Sequence, residues 1–337
     1  MNYIGIDLHK KSISICVVDQ VRQVVSRKRF SCQKVGEIDS FFREFRPFQA
    51  VVEATASYEW LFQRLEPLSE RMILAHPGKL RVIAESTRKS DKLDAQVLAE
   101  FLAMDMIPRA HRPTPRQREH RRLVRRRNQI KQQMTRVRSR IRFLLADYNA
   151  DRNDLFSSAG LGYLRRVPVS DADRWVLDQL IEEWAFHDDQ LDEIDRALRE
   201  FGESAGAEER EARAVLDSIP YVGAVTVDVV CSELGDVRRF RSNKRAVSYA
   251  GLAPGYRESS GKRKDLGITK QGSGLLRWAL IESAWRLVFH TARWRAVFEA
   301  LSKRRGRKRA ITAVARRLLC VMVSMLRSGR RYQAAMV

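Results

Sequence analysis

The sequence has little cysteine: four of its 337 residues are cysteines, and they lie far apart. Cys16, Cys32, Cys231 and Cys320 lack the short spacings that mark zinc sites and disulfide frameworks. We therefore expect reduced, mostly buried thiols and no structural zinc.

Long apolar runs are also missing. No stretch of about 18 apolar residues occurs, so no transmembrane helix and no membrane partner are expected. The first residues have a strand pattern instead of the charged and then apolar pattern of an export signal. These features favour a cytoplasmic location.

Acidic residues are outnumbered, since 41 Asp and Glu stand against 63 Lys and Arg, and the net charge is +22. Such a balance indicates an anionic partner, and without membrane segments nucleic acid is favoured. Apolar residues make up 44% of the chain, enough for sizeable cores in two or three domains.

The order of elements in the first 110 residues predicts an α/β domain with a mixed sheet. Residues 2–8, 11–18 and 23–31 have strand patterns joined by short turns, which predicts an antiparallel meander. Strands and helices then alternate over residues 35–85, which predicts parallel additions to the same sheet. This is the order of the ribonuclease H-like fold.

Residues 111–205 have the pattern of a helical coiled coil. Residues 109–142 hold fourteen Arg and Lys and one acid, with a helix expected to begin near Pro115. Residues 171–201 are its acidic counterpart, and the pair either spaces the domains or also mediates dimerisation. The predicted apolar stripes are Leu123, Ile130, Met134, Val137, Ile141 and Leu144, and Val176, Leu180, Ile181, Trp184, Leu191, Ile194 and Leu198.

Residues 206–337 are predicted to be mainly helical. Within them, residues 218–223 are similar to the hairpin of a helix-hairpin-helix element, whose backbone amides hold a DNA phosphate. Residues 249–274 are rich in Gly, Ser and basic residues, and we expect a long loop there. Trp285 and Trp294 are expected in the core and not on a base-stacking surface.

Four acidic residues are the first candidates for chemistry. Asp7 and Glu53 each interrupt an apolar strand pattern, and Asp91 and Asp94 lie three apart where a helical pattern begins. Carboxylates are rarely buried unless they are paired or bind a metal. Together they would offer hard oxygen ligands to Mg²⁺ or Mn²⁺ for phosphoryl transfer. The alternative is that they are cap and turn residues.

Ser259 and Ser260 are the candidate nucleophiles. Nearby cations would stabilise a pentacovalent phosphate and favour loss of the serine proton. The alternative is a flexible loop that only binds the DNA backbone. The cations expected to contact nucleic acid are Arg122, Arg125, Arg126, Arg257, Lys262, Arg263, Lys270 and Arg277.

Three blocks of sequence together resemble the transposases of the insertion-sequence 110 group, including its 1111 subgroup. They are GIDLHKKS with VVEATASYEW downstream, then KSDKLDAQVLAEFL, then a C-terminal run from IPYVGAVTVDVV to AVSYAGLAPGYRESSGKRKDLGITKQGSG. The resemblance covers nearly the whole chain. It implies a RuvC-like domain over residues 1–110, a coiled coil over 111–205 and a transposase domain over 206–337.

The resemblance also implies roles for these residues. The family's acidic tetrad corresponds to the four carboxylates above, and its catalytic serine lies in the loop ahead of Ile268. Counting back favours Ser259. The family usually has a serine followed by two glycines, and Ser260 replaces the first of them, which leaves Ser259 and Ser260 open.

The partners implied by the resemblance are double-stranded target and donor DNA and a noncoding bridge RNA. It further implies dimers that assemble into a tetramer, associated with the nucleoid when acting. Two other functions stay open. One is a RuvC-like metal-dependent Holliday-junction nuclease that uses water, and the other is a non-catalytic nucleic-acid-binding protein.

Overall fold

The computed structural model describes residues 1–55, 57–83, 91–259 and 262–336. The chain forms two compact units, Met1–Arg112 and Pro113–Val337. The sequence boundary at residue 205 falls inside the second unit, and the three-domain division stays a prediction.

A mixed sheet of five strands forms the centre of the first unit. Its strands are β1 (Asn2–Leu8), β2 (Ser12–Val18), β3 (Val24–Ser31), β4 (Phe48–Glu53) and β5 (Arg71–Ala75), in the order β3-β2-β1-β4-β5. β1–β2 and β2–β3 are antiparallel, whereas β1–β4 and β4–β5 are parallel. The predicted meander with parallel additions is therefore confirmed.

Helices cover both faces of this sheet because its central strands are apolar on both sides. One face packs Ile4 and Ile6 of β1 against Phe42 and Leu61. The opposite face packs Val51 of β4 against Leu98. The helices are α1 (Val35–Glu44), α2 (Glu59–Leu65), α3 (Pro77–Ile83) and α4 (Asp91–Ala103).

Two long antiparallel helices begin the second unit, α5 (Pro115–Ala146) and α7 (Asp171–Glu203), with the short α6 (Ser158–Leu164) between them. Thr114 and Ser170 cap the long helices, each accepting a hydrogen bond from a first-turn amide. The predicted helix start at Pro115 is confirmed.

The seam between α5 and α7 departs from the predicted stripes at three positions. At each of them an adjacent apolar residue is the buried one, because a 3–4 spacing cannot choose between two neighbouring apolar side chains. The residues found buried are Val124 instead of Leu123, Leu145 instead of Leu144 and Leu177 instead of Val176.

The remaining helices of the second unit enclose a second apolar core. Trp294 is fully buried there and Trp285 is partly buried, as predicted for core residues. None of the helices in the described residues is long and apolar enough to cross a membrane. These helices are α8 (Ala207–Asp217), α9 (Ala224–Leu234), α10 (Asn243–Tyr249), α11 (Gly274–His290), α12 (Ala292–Arg305) and α13 (Arg307–Ser328).

The prediction of one long loop over residues 249–274 was wrong. The chain forms an antiparallel hairpin of β6 (Pro254–Ser259) and β7 (Lys262–Ile268) there. A two-stranded ribbon pairs through its backbone and need not bury either face, so its sequence lacks the apolar alternation that marks a strand.

The four cysteines are unpaired, as expected, but Cys16 alone among them is fully buried. Cys32, Cys231 and Cys320 are partly buried and pack against the apolar cores of the two units, in line with the expectation of mostly buried thiols.

Candidate active site

Asp7 and Glu53 lie near the C-terminal ends of the neighbouring strands β1 and β4, and these strand ends form one edge of the first unit's sheet. β1 and β4 are parallel and in register up to the pair Ile6–Val52, so Asp7 and Glu53 come next on neighbouring strands. Because side chains alternate along a strand, both point to the face that carries Gly5 and not to the face of Ile6. The two carboxylates that interrupt strand patterns are therefore neighbours on one face.

Gly5 allows α4 to lie directly on this face. A Cβ atom at Gly5 would lie 2.0 Å from the carbonyl oxygen of Ala95, so only glycine permits this approach. The C-terminal end of α4 lies beside the β2–β3 turn, where Arg22 Nη1 is 3.2 Å from Met104 Sδ. That turn lies at the start of β1, so the first turn of α4 extends toward the strand end that bears Asp7.

Asp91 and Asp94 belong to this first turn of α4. Their side chains lie outside the described residues, so the structure gives their place along the backbone and not their contacts. The backbone alone brings the start of α4 toward the edge where Asp7 and Glu53 lie.

His9 adds a contact to Asp7. Its Nε2 atom is 3.0 Å from Asp7 Oδ2, and its side chain is about half exposed while that of Asp7 is 14% exposed. The imidazole thus lies beside one oxygen of the carboxylate.

The donor chemistry at this edge fits a hard divalent cation, since Asp7 and Glu53 offer carboxylate oxygens on one face. Among the side chains that the structure describes, no three His, Cys, Asp or Glu residues come together as a metal-binding group. Two of the four predicted ligands, Asp91 and Asp94, lie outside that description.

Ser259 is the last residue of β6, and its register partner is Lys262, the first residue of β7. Ser260 falls outside the described residues, and so do the side chains of Arg257, Ser259, Lys262 and Arg263. The structure thus places Ser259 at the end of the hairpin that is distant from its base.

The base of the hairpin is tied to the helices by tight backbone contacts. The amides of Thr269 and Lys270 donate to the carbonyl oxygens of Ala253 and Gly251, at 2.9 and 3.0 Å. Gly272 has φ +85°, and a Cβ there would lie 2.0 Å from the carbonyl oxygen of Tyr249. These contacts fix the point at which the β6–β7 hairpin projects from the helices of the second unit.

Arg277 has a structural task at this base. Its Nη1 atom donates to the carbonyl oxygens of Ala250, Gln271 and Gly272, at 3.1, 3.2 and 3.2 Å. The sequence suggested contact with nucleic acid for Arg277, which stays a prediction. Lys270, from the same predicted set, is exposed.

The arginines of α5 also differ in their surroundings. Arg125 binds the carboxylate of Glu233, a side chain that is 3% exposed, with Nη2–Oε1 3.1 Å. Arg126 donates to Gln190 of α7 at 2.7 Å, and Arg122 is exposed. Arg122 is therefore the member of this set best placed to meet a ligand.

A buried polar network behind α5 was not predicted from the sequence. His120 Nε2 is 2.9 Å from Asp228 Oδ1, and Arg213 Nη2 is 2.7 Å from the same oxygen. Burial is the largest single influence and opposes the charged form of Arg213, but Asp228, Cys231 and Glu209 together raise the pKa of Arg213 above its ordinary value. The network joins α5 to α8 and α9, and an isolated His and Asp 108 positions apart give no sequence signal for it.

A family model described as a transposase matches residues 4–150, and one described as the transposase of the IS116/IS110/IS902 family matches residues 213–299. The chain belongs to the insertion-sequence 110 family of transposases. The resemblance stated from the three sequence blocks is thus confirmed, and the chain is a transposase enzyme.

Curated relatives are similar in sequence to this chain over most of its length. The transposase for insertion sequence element IS1111A of Coxiella burnetii is 24% identical over 98% of this chain and 91% of its own length. That for IS1328 of Yersinia enterocolitica is 24% identical over 83% and 82%. The pilin gene-inverting protein of Moraxella bovis is 23% identical over 98% and 97%.

Proposed function

We propose that this transposase is a DNA recombinase that uses carboxylates of a ribonuclease H-like, RuvC-like first unit together with a serine of the second unit. The observation that carries the acidic half is the placement of Asp7 and Glu53 on one face and one edge of the sheet. The direction of α4, which brings Asp91 and Asp94 toward that edge, supports the same set.

The four carboxylates Asp7, Glu53, Asp91 and Asp94 would hold Mg²⁺ or Mn²⁺. When bound, the cation would offset the negative charge that develops on the phosphate. Asp7, with His9 beside it, presents its carboxylate at the sheet edge, and Glu53 presents the second from the neighbouring strand.

The serine supplies the nucleophile. Ser259 Oγ, or Ser260 Oγ in its place, forms a bond to the scissile phosphorus while the bond from phosphorus to the leaving deoxyribose oxygen breaks. The serine proton ends on that leaving oxygen, so the step is a transesterification that needs no external oxidant or reductant. The phosphoserine link preserves the energy of the phosphodiester for rejoining to a second strand.

The partners of this reaction are target and donor DNA, with a noncoding bridge RNA that pairs with both. Joining two duplexes requires several active sites, which favours dimers that pair into a tetramer. The net charge of +22 supports polyanionic partners. Nucleic-acid contacts are assigned to Arg122, Arg257, Lys262, Arg263 and Lys270.

A denaturing gel tests the proposal directly. The chain is incubated with DNA, RNA and Mg²⁺, and the products are separated with and without protease treatment. A covalent protein–DNA adduct that protease removes is expected. Nicked DNA with no adduct would instead favour the water-using nuclease, and intact DNA would favour a non-catalytic binding protein.

A further inference from the structure

Exposed aromatic side chains occur along α11 and in the turn between α8 and α9, residues 218–223, called here the α8–α9 hairpin. Trp278 is 48% exposed, Phe289 is 61% exposed, and Tyr221 of the hairpin is 50% exposed. Trp278 and Phe289 are separated by about three helical turns, roughly 16 Å along one side of α11. Trp285 lies between them on the same side, is partly buried and packs against Phe298 of α12, so the exposed rings of this side are at its two ends, Trp278 and Phe289.

Two of these rings stack nearly parallel to a neighbouring aromatic ring. Tyr221 stacks on His290 with ring centroids 4.6 Å apart and an interplanar angle of 19°. Phe289 stacks on Trp285 at 5.7 Å and 24°. Tyr221 also has φ +63°, a conformation that non-glycine residues seldom adopt, so the hairpin holds this ring in place at some cost.

A surface cavity of about 490 Å³ lies between the hairpin and α11. Trp278 and Tyr221 line it, together with Arg286, Glu282 and the backbone at the start of α9. α9 begins after Gly223 without a side-chain cap, and its first residues Ala224 and Val225 line the cavity. An aromatic ring, a guanidinium and the uncapped start of a helix thus adjoin one cavity.

The charge around this surface favours an anionic ligand. Residues 270–309 contain eleven Lys and Arg and two acids, Glu282 and Glu299. A ligand with flat, uncharged rings joined by phosphates matches both the aromatic planes and the charge. Bases within a duplex already stack on each other, so only unpaired nucleotides have ring faces to offer.

We propose that the outer side of α11 and the hairpin at Tyr221 form a binding surface for unpaired nucleotides. A base stacks on Trp278, and its phosphate lies near Arg286 and the start of α9. The inference rests on the proposed function only in that the ligand is nucleic acid. It involves neither the carboxylates nor the serine.

The test compares two labelled probes with equal numbers of phosphates, a twelve-residue oligothymidylate and a twelve-residue abasic oligonucleotide. The full chain should bind oligothymidylate more tightly, because stacking contributes about 1–3 kcal/mol per base. Trp278→Ala should weaken oligothymidylate binding about fivefold or more and leave abasic binding unchanged. Trp278→Phe should retain most of the preference, and an oligouridylate probe shows whether RNA or DNA is favoured.

Trp175→Ala is the matched control, since Trp175 lies on α7 and is 69% exposed. Equal binding of both probes by the unmodified chain would overturn the proposal, and so would equal losses from the two alanine variants. Sedimentation shows whether Trp278→Ala changes the protein from dimer to monomer. If it does so while the preference for oligothymidylate is unchanged, the surface binds a second copy of the chain and the proposal is wrong. Asp7→Asn and Ser259→Ala should bind both probes normally, which separates this inference from the proposed chemistry.

Discussion

The two sets of proposed catalytic residues are held by different means. Asp7 and Glu53 lie near the C-terminal ends of neighbouring strands in a five-stranded sheet with helices on both faces. Ser259 ends one strand of a two-stranded hairpin, and an isolated ribbon of this kind is marginal in water. Its position depends on the contacts at its base, where Gly272 and Arg277 tie it to the helices.

Because of this difference, substitutions at the carboxylates and substitutions at the base of the hairpin should have different effects. Core packing sets the position of the carboxylates, so removing one charge there should abolish chemistry without disturbing the fold. A few polar contacts set the position of the serine, so a substitution far from the nucleophile can disturb it.

The largest effect is expected for Asp7→Asn. The amide keeps the shape and loses the charge, so single-turnover strand cleavage should fall about 10²–10³-fold, which corresponds to roughly 3–4 kcal/mol of transition-state stabilisation. DNA affinity and the melting temperature should change little. Asp105→Asn is the control, because Asp105 belongs to the same unit and its side chain is 71% exposed. Unchanged cleavage in Asp7→Asn would show that Asp7 has no part in the chemistry.

Arg277→Ala examines the support of the serine. Loss of its three hydrogen bonds to carbonyl oxygens should loosen the hairpin by about 1–3 kcal/mol and accelerate amide exchange over residues 254–268. Adduct formation should fall with it. Lys270→Gln should leave exchange unchanged and lower the log–log salt slope of DNA binding by about 0.9. If the two variants exchange alike, the base contacts do not hold the hairpin.

A smaller effect is expected for the arginines of α5, one of which pairs with a buried carboxylate while another is exposed. Arg125→Ala leaves the buried carboxylate of Glu233 without its nearest cation and should lower the free energy of unfolding by about 1–3 kcal/mol. Arg122→Ala should change stability by less than about 0.5 kcal/mol and reduce the salt slope of DNA binding instead. Denaturant unfolding and salt titrations measure both. The assignment fails if Arg122 proves the more important for folding.

The smallest effect is expected for Tyr148→Phe, which removes a hydroxyl that donates to Asp173 in the first turn of α7. The hydroxyls of Tyr148 and Ser170 both donate hydrogen bonds to the Asp173 carboxylate. They hold the pKa of Asp173 below its ordinary value, and Tyr148 has the larger effect. A lowered carboxyl pKa stabilises the fold above the unfolded-state pKa, and this contribution is lost as the pH falls through the folded-state pKa. Urea midpoints of the protein and the variant should differ near neutral pH and converge in acid. A gap that widens in acid would contradict this sign.

Much of the first unit could be predicted because its strands are apolar and its turns short. The strand order, the directions and the nearness of Asp7 to Glu53 follow from local patterns and from the geometry of parallel strands. The role of Gly5 could not be predicted, because it depends on which helix residue crosses it. The placement of Asp91 and Asp94 along α4 agrees with a helix start, while their contacts stay a prediction.

The second unit was harder to predict because its polar contacts join residues far apart in sequence. The pairing of Arg125 with Glu233 and of His120 with Asp228 depends on α9 lying against α5. A basic helix by itself therefore suggested a nucleic-acid surface where part of it serves the fold. The β6–β7 hairpin was missed because polar strands lack the alternation on which strand prediction depends.

The most direct test of the central claim is to locate the residue that becomes linked to DNA. The adduct formed with Mg²⁺ and RNA is digested with protease and nuclease, and the peptide that spans residues 258–262 is sequenced by mass spectrometry. We predict a nucleotide attached through phosphate to Ser259, and its absence in Ser259→Ala. The same mass on Ser260 would move the nucleophile by one residue and keep the mechanism. Cleaved DNA with neither serine modified would contradict serine catalysis and favour water as the nucleophile.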